Sequence, residues 1–371
     1  MQINKSRKIV AVILTLSLLL CLCSLPISAK SEQDISARSA LLYEPETKTV
    51  IFSKNADERL PMASTTKIMT ALVSIERENL DKEIKIDERA VGVEGSSAYL
   101  KAGEIFSLKE LLYALMLQSA NDAAEAIAYA IAGSVDAFAE LMNQKASSLG
   151  LADTNFTNPH GLDDADHYTT AHDLAIIAAS ALEYPEFYEI TSTKTKRVER
   201  NGISRLFVNH NKLLSRYEGC IGIKTGFTKK SGRCLVSAAE REGIRLICVT
   251  LDAPSDWNDH KMLLNYGFSS LERQTLFSAE SFEYSLPILN SEKDSVRIGL
   301  SEDVSIISFE DASPIEYEIQ LPRFVSAPIK AGSNVGRIVV TRDDKPISTH
   351  DLFVLESVNA KKKKGFYSLF E

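Results

Sequence analysis

The hydrophobic and polar positions change period several times along the chain, and each change predicts an element. Short apolar runs at Ser39 to Tyr43 and Thr49 to Lys54, separated by the turn-forming Glu44-Pro45-Glu46-Thr47, predict a hairpin. From Ser64 the period becomes helical: Ile68, Leu72, Val73 and Ile75 share one side, and the pattern runs on to Asn79, predicting a core helix covered by a sheet. After a polar stretch holding Gly92, Gly95 and Gly103, Ser107-Leu108-Lys109-Glu110 reads as a capping box ahead of a buried helix with Leu111, Leu112, Ala114, Leu115 and Met116. That helix ends at Gln118-Ser119-Ala120-Asn121-Asp122, and an alanine-rich helix from Ala123 to Ala132 follows. Another helix, Val135 to Leu149, stops at Gly150.

Asn155 to Asp173 is a polar loop, and beyond it an alanine-rich helix runs through Leu182 and is closed by Pro185. Three strand-like runs come next, Ile221 to Thr225, Arg233 to Ala239 and Ile244 to Leu251, then a helix from Asp256 to Tyr266 stopped at Gly267. Together these predict an α+β domain: an antiparallel sheet flanked by helices, with an α-rich subdomain inserted between strands. After about Leu276 the pattern is alternating, as at Phe282, Tyr284, Leu286 and Ile288, at Tyr317, Ile319 and Leu321, and at Ile338 to Thr341. Turns at Pro314, Gly332-Ser333-Asn334 and Asp343-Asp344-Lys345 separate the runs, predicting a small C-terminal all-β sandwich.

Composition narrows the classes. The 371 residues suggest two domains, and 44% hydrophobic residues suffice for packed cores. A net charge of −8, with no basic stripe before the extreme C-terminus, argues against a nucleic-acid partner. Lys5, Arg7 and Lys8 precede the apolar run Ile9 to Leu22 and the small-residue exit Pro26-Ile27-Ser28-Ala29, the layout of a signal peptide cleaved after Ala29. Leu22 stands where a lipoprotein site at Cys23 would want a small residue. The expected division is 1–29 signal peptide, 30–275 catalytic domain, 276–360 β-sandwich and 361–371 basic-aromatic tail. In that tail Lys361 to Lys364 adjoin Phe366, Tyr367, Leu369 and Phe370; peripheral contact with an anionic membrane and a frayed solvated end are its two readings. Cys220, Cys234 and Cys248 are an odd number and read as free thiols, two of them on successive strands.

Candidate chemistry sits in three stretches. Ser64-Thr65-Thr66-Lys67 puts a hydroxyl and an amine three residues apart at a helix start, with Cβ atoms about 5–6 Å apart if the segment is helical, although capping is the commoner use of such a serine. Ser119-Ala120-Asn121 is an interhelical corner that can aim two polar side chains into a cleft or serve as helix punctuation. Lys224-Thr225-Gly226 ends a strand, where a cation and hydroxyl can hold a carboxylate while glycine admits a ligand backbone. The loop with His160, His167, His172, Asp163, Asp164 and Asp166 matches no metal-ligand spacing and is read as shaping a cleft.

Taken in order, the three stretches resemble the S-x-x-K, S-D-N and K-T-G signature of penicillin-binding proteins and serine β-lactamases, with Ser119-Ala120-Asn121 departing from S-D-N at its middle position. Within that superfamily the chain is similar to the low-molecular-mass D-alanyl-D-alanine carboxypeptidases from about Ser36 to Phe268, including Asn158-Pro159-His160-Gly161-Leu162. The resemblance implies an exported, cell-envelope enzyme without cofactor or metal. It implies that Ser64 attacks the peptide bond of peptidoglycan stem peptides ending in D-Ala-D-Ala, and that β-lactam antibiotics acylate the same serine. It also implies Lys67 as base, Ser119 as proton relay, Asn121, Lys224, Thr225 and Gly226 as substrate-binding, and the backbone N–H groups of Ser64 and Phe227 as oxyanion hole. Alanine at position 120, where class A β-lactamases have aspartate, and the lack of their glutamate-containing loop set antibiotic hydrolysis below peptide hydrolysis; a non-turnover penicillin-binding module is the other alternative.

Overall fold

The computed structural model describes residues 34–200, 202–309 and 312–361, so the signal-peptide reading and the tail beyond Lys361 lie outside the described residues. Strands β1 (Ser39–Glu44) and β2 (Thr49–Lys54) form the expected hairpin. A 3₁₀ turn over Ala63–Thr66 leads into helix α1 (Lys67–Arg77). This corrects the regular helix expected from Ser64 to Asn79: the Thr65 and Thr66 hydroxyls donate to the Met62 and Ala63 carbonyls at 2.6 and 2.8 Å, bonds that suit the tighter turn.

A short ladder of β3 (Glu83–Lys85) and β4 (Ile105–Ser107) precedes α2 (Leu108–Leu117), α3 (Asn121–Ala132) and α4 (Val135–Ser148). The capping box is formed, with Ser107 Oγ accepting from Glu110 N at 3.2 Å and Glu110 Oε2 accepting from Ser107 N at 2.8 Å. Helix α3 starts two residues earlier than expected, because Ala120 already has the extended backbone of a cap. Pro185 does more than close α5 (Ala171–Leu182): it is the first residue of α6 (Pro185–Ser192), where its missing N–H is no loss. The hairpin of β5 (Thr195–Arg200) and β6 (Ile203–Val208) gave no sequence signal, since most of its residues are exposed and no apolar face repeats.

After α7 (Leu213–Arg216), strands β7 (Cys220–Thr228), β8 (Gly232–Arg241) and β9 (Ile244–Leu251) complete an antiparallel sheet in the order β2-β1-β9-β8-β7. Cys248 lies opposite Ser237 and Cys234 opposite Gly226, so the two thiols are out of register on their neighbouring strands and remain free. Helix α8 (Asp256–Ser270) crosses the sheet and does not stop at Gly267. A Cβ at Gly267 would lie 2.6 Å from Leu246 Cδ1 and 2.8 Å from Leu42 Cδ2, so this residue marks closest approach, not a helix end. Side chains such as Leu72, Leu112, Ile127, Ile177, Val236 and Val249 form one buried core between the helices and the sheet.

The remaining described residues hold only strands and loops: β10 (Leu271–Phe277), β11 (Tyr284–Leu289), β12 (Ser295–Gly299), β13 (Val304–Phe309), β14 (Ile315–Gln320), β15 (Val325–Ser326), β16 (Asn334–Arg342) and β17 (Lys345–Val354). Six strands form one sheet in the order β14-β16-β17-β12-β11-β15, and β10 pairs with β13 alone. Leu286, Val296, Ile338 and Leu352 of the larger sheet share a second core with Val304 and Ile306 of the smaller. The α+β architecture with a C-terminal β domain is the one expected.

Candidate active site

The Ser64 turn opens on a strained residue. Ala63, with φ 47°, takes the left-handed backbone that non-glycine residues rarely adopt, and this turns Ser64 away from the core into the cleft. Lys67, first in α1, is fully buried. Its Nζ lies 3.0 Å from Ser64 Oγ, 2.7 Å from Asn121 Oδ1 and 2.6 Å from the His160 carbonyl oxygen. Burial, followed by the charge of Lys224, holds its amine well below the ordinary lysine range, against the opposing pull of Asp122.

The corner between α2 and α3 makes a second side of the site. Ser119 is 4% exposed and has φ 61°, and two residues later Asn121 accepts from Lys67 while its Nδ2 donates to the Glu94 carbonyl at 2.6 Å. Asp122, which the sequence offers only as a cap, is buried and collects four donors: Ser97 Oγ at 2.7 Å and the N–H groups of Ala98, Leu100 and Ala123 at 3.0, 3.0 and 2.9 Å. It thereby pins the Ser97–Leu100 segment over the corner.

The polar loop after α4 packs under the turn as expected of a cleft-shaping segment. Thr70 Oγ1 donates to the Pro159 carbonyl at 2.6 Å, and Thr66 Oγ1 lies 2.8 Å from His167 Nε2, whose ring Nδ1 accepts from Thr157 N at 3.0 Å. Gly161 has φ 91°, and a Cβ there would sit 1.8 Å from the Ala63 carbonyl oxygen, so no other residue fits. The histidines diverge: His160 faces Glu125 at 3.4 Å, His167 faces the threonines and His172 faces Asp173 at 3.6 Å. Burial pushes His167 down to about 4, which keeps it neutral. Asp163 accepts from Thr228 Oγ1 at 2.8 Å and ties the loop to the end of β7.

That strand is the opposite wall. Lys224 is 2% exposed, its Nζ donates to the Thr225 carbonyl at 2.8 Å, and burial lowers its amine to about 7. A Cβ on Gly226 would lie 3.1 Å from Ser64 N and 3.1 Å from the Met62 carbonyl oxygen, so the strand and the catalytic turn are in close contact there. Thr225 is half-buried beside it, and the Phe227 side chain is 64% exposed. The structure therefore brings the Ser64 turn, the Asn121 corner and the Lys224 edge together. The residues missed in the sequence, Asp122 and the His160 carbonyl, act through buried or main-chain oxygens that no motif encodes; the glycine after His160 was the available signal for the second.

Comparison with known proteins agrees with this geometry. Residues 27–255 match the model of the D-alanyl-D-alanine carboxypeptidase family, and residues 271–360 match that of the penicillin-binding protein 5 C-terminal domain. The chain is 33% identical over 354 residues to D-alanyl-D-alanine carboxypeptidase DacF of Bacillus subtilis, covering 92% of this chain and 90% of that one. It is 33% identical over 352 residues to DacC of Escherichia coli, covering 90% and 86%. Penicillin-binding protein 5 from Haemophilus influenzae superposes with a TM-score of 0.66 at 30% identity, over 89% of this chain and 100% of that one. The family-model match over residues 27–255, the relatives at 33% identity along most of both chains and the site geometry together place this chain in the D-alanyl-D-alanine carboxypeptidase family of serine peptidases.

Proposed function

We propose that this carboxypeptidase acts through Ser64 as nucleophile and Lys67 as its base. The observation that carries the assignment is the set of three oxygens around Lys67 Nζ. A neutral amine has two hydrogens and one lone pair. With the hydrogens donated to Asn121 Oδ1 and the His160 carbonyl, the lone pair is left for the Ser64 hydroxyl at 3.0 Å. The depressed proton affinity of Lys67 supplies that neutral form.

Ser64 Oγ attacks the carbonyl between the two terminal D-alanines as Lys67 takes its proton. The tetrahedral oxyanion is held by the N–H groups of Ser64 and Phe227, each worth ~3 kcal/mol. Ser119 relays the proton to the leaving D-alanine nitrogen, and water later hydrolyses the ester. Cationic Lys224 and the Thr225 hydroxyl hold the terminal carboxylate, which selects a C-terminal residue. Gly226 lets the substrate backbone lie against β7, and Asn121 bonds its peptide group. Penicillins acylate Ser64 in the same way.

The wall substrate and the signal-like segment before Lys30 support an exported enzyme with a 30–275 catalytic domain and a 276–360 β domain. The lysine-rich tail supports peripheral membrane contact, and loss of vesicle binding on deleting Lys361 to Glu371 tests it. The catalytic assignment is tested by following free D-alanine from a stem pentapeptide, with intact-mass measurement after penicillin treatment. The wild type is expected to release D-alanine and to gain one penicilloyl adduct, and Ser64→Ala to do neither; an adduct on Ser64→Ala would sink it.

A further inference from the structure

A cavity of about 480 Å³ lies between the β1–β2 turn and the C-terminal β domain, lined by none of the motif residues. Its size is that of a small-ligand site, for which about 300–1,000 Å³ is usual. Arg342 lines it, and the Nε and Nη2 atoms of this guanidinium are buried with no hydrogen-bond partner. Buried donors left unmatched are unfavourable, so these two nitrogens of the half-buried arginine call for an acceptor from outside the chain, water or ligand. Lys48 on the hairpin turn lines the same cavity and has no ion-pair partner among the described residues. Glu46 does not supply the missing anion, because its carboxylate is paired with Arg273.

The rest of the lining indicates the shape of that anion. Five consecutive residues, Ser305 to Phe309, contribute. Successive strand residues point to opposite faces, so all five can line one cavity only if it runs along the edge of the strand. Strand β13 is paired on one side by β10 and has no second neighbour among the described residues, which leaves its main-chain donors and acceptors for an extended backbone. Ile347, 46% exposed, adds an apolar surface beside it.

We propose that this cavity is a second, non-catalytic site for an extended peptide bearing a carboxylate, such as a wall stem peptide other than the one being cleaved. Arg342 takes the carboxylate in a forked pair of bonds, Lys48 adds charge, and the peptide backbone lies along β13. The naming of a stem peptide rests on the carboxypeptidase reading; the anion site does not. It would hold the enzyme on its polymeric substrate between turnovers.

The test uses the full chain with its cleft blocked by penicillin and follows anisotropy of a fluorescein-labelled stem tetrapeptide, the reaction's own product. Saturable binding is expected, weakened about tenfold or more by Arg342→Gln, less by Lys48→Gln, and about tenfold by amidating the peptide's C-terminus. Equal binding by Arg342→Gln, or by the amidated peptide, overturns the proposal. Stabilisation by inorganic phosphate without peptide binding also overturns it and reassigns the site to phosphate. Thermal unfolding separates function from folding: Arg342→Gln is expected to melt at or above the wild-type temperature, and a fall of several degrees would make the arginine structural. D-alanine release from soluble pentapeptide, unchanged in Arg342→Gln, is measured alongside; its absence in the wild type would refute the catalytic reading independently of the binding result.

Discussion

The two walls of the cleft each bury a lysine, and they do so in opposite ways. On the helix wall Lys67 is surrounded by three oxygens, one of them the Ser64 hydroxyl, with Asn121 and the His160 carbonyl fixing the other two directions. On the sheet wall Lys224 has a single acceptor among the described residues, the Thr225 carbonyl, and is drawn down to about 7 by burial alone. The first amine is saturated when neutral, which suits a base. The second has donors to spare when charged, which suits a carboxylate holder. The first also depends on the second, because the charge of Lys224 helps keep Lys67 neutral.

The difference is broken most severely on the helix wall. Lys67→Met should lower the acylation rate by penicillin about 10²–10⁴-fold, the usual range for a positioned base, with the fold intact by circular dichroism. Acylation within threefold of wild type would mean that another group takes the proton. Next in size is the support beneath that wall. Gly161→Ala places a Cβ 1.8 Å from a backbone oxygen that has no room to move, so a loss of roughly 3–4 kcal/mol in urea unfolding is expected, together with loss of acylation. On the sheet wall Lys224→Met should cost about 1.5–3 kcal/mol of substrate binding, read as a roughly 10–150-fold fall in kcat/KM for D-alanine release. Replacing the substrate carboxylate by an amide should erase the difference between that variant and wild type, and a persisting gap would show that Lys224 serves Lys67 more than the substrate.

How much of this was legible in the sequence follows the same division. The strands that bury both faces, such as β8 and β9, announced themselves as apolar runs, and the helices through the capping box at Ser107, the stop at Gly150 or their periodic leucines. The hairpin of β5 and β6 did not, because Leu206 and Val208 are exposed at 52% and 46% and no buried face repeats. The site side chains were legible because hydroxyl, amine and amide chemistry restricts residue type. The His160 carbonyl and the Asp122 cage were not, since any residue offers a carbonyl and an aspartate at a helix start reads as a cap. The 3₁₀ turn at Ser64 was likewise hidden, because threonine hydroxyls bonding three residues back leave the apolar spacing of α1 unchanged.

The smallest expected effect distinguishes the walls through stability. Lys224 has its amine lowered to about 7 in the folded state, from an ordinary value near 10.5, and Lys67 is lowered as well. Between pH 7 and that ordinary value the unfolded chain therefore binds more protons than the folded one at these sites, and stability rises with pH, by at most about 1.4 kcal/mol per unit for each uncompensated proton. The rise is bounded above. Cys220 and Cys234 are held up to about 11 by burial and Cys248 is raised as well, so above pH 9 the folded state keeps three protons that the unfolded chain loses; three thiols then outweigh the two lysines and the slope reverses. The melting temperature should accordingly climb from pH 7 to about 9 and then fall. Lys224→Met should flatten the climb and bring the turning point to lower pH, because methionine has no proton to lose and the three thiols then oppose Lys67 alone. An unchanged climb in that variant would assign it to Lys67, and a wild-type profile that falls from pH 7 onward would show that neither lysine is held neutral by burial.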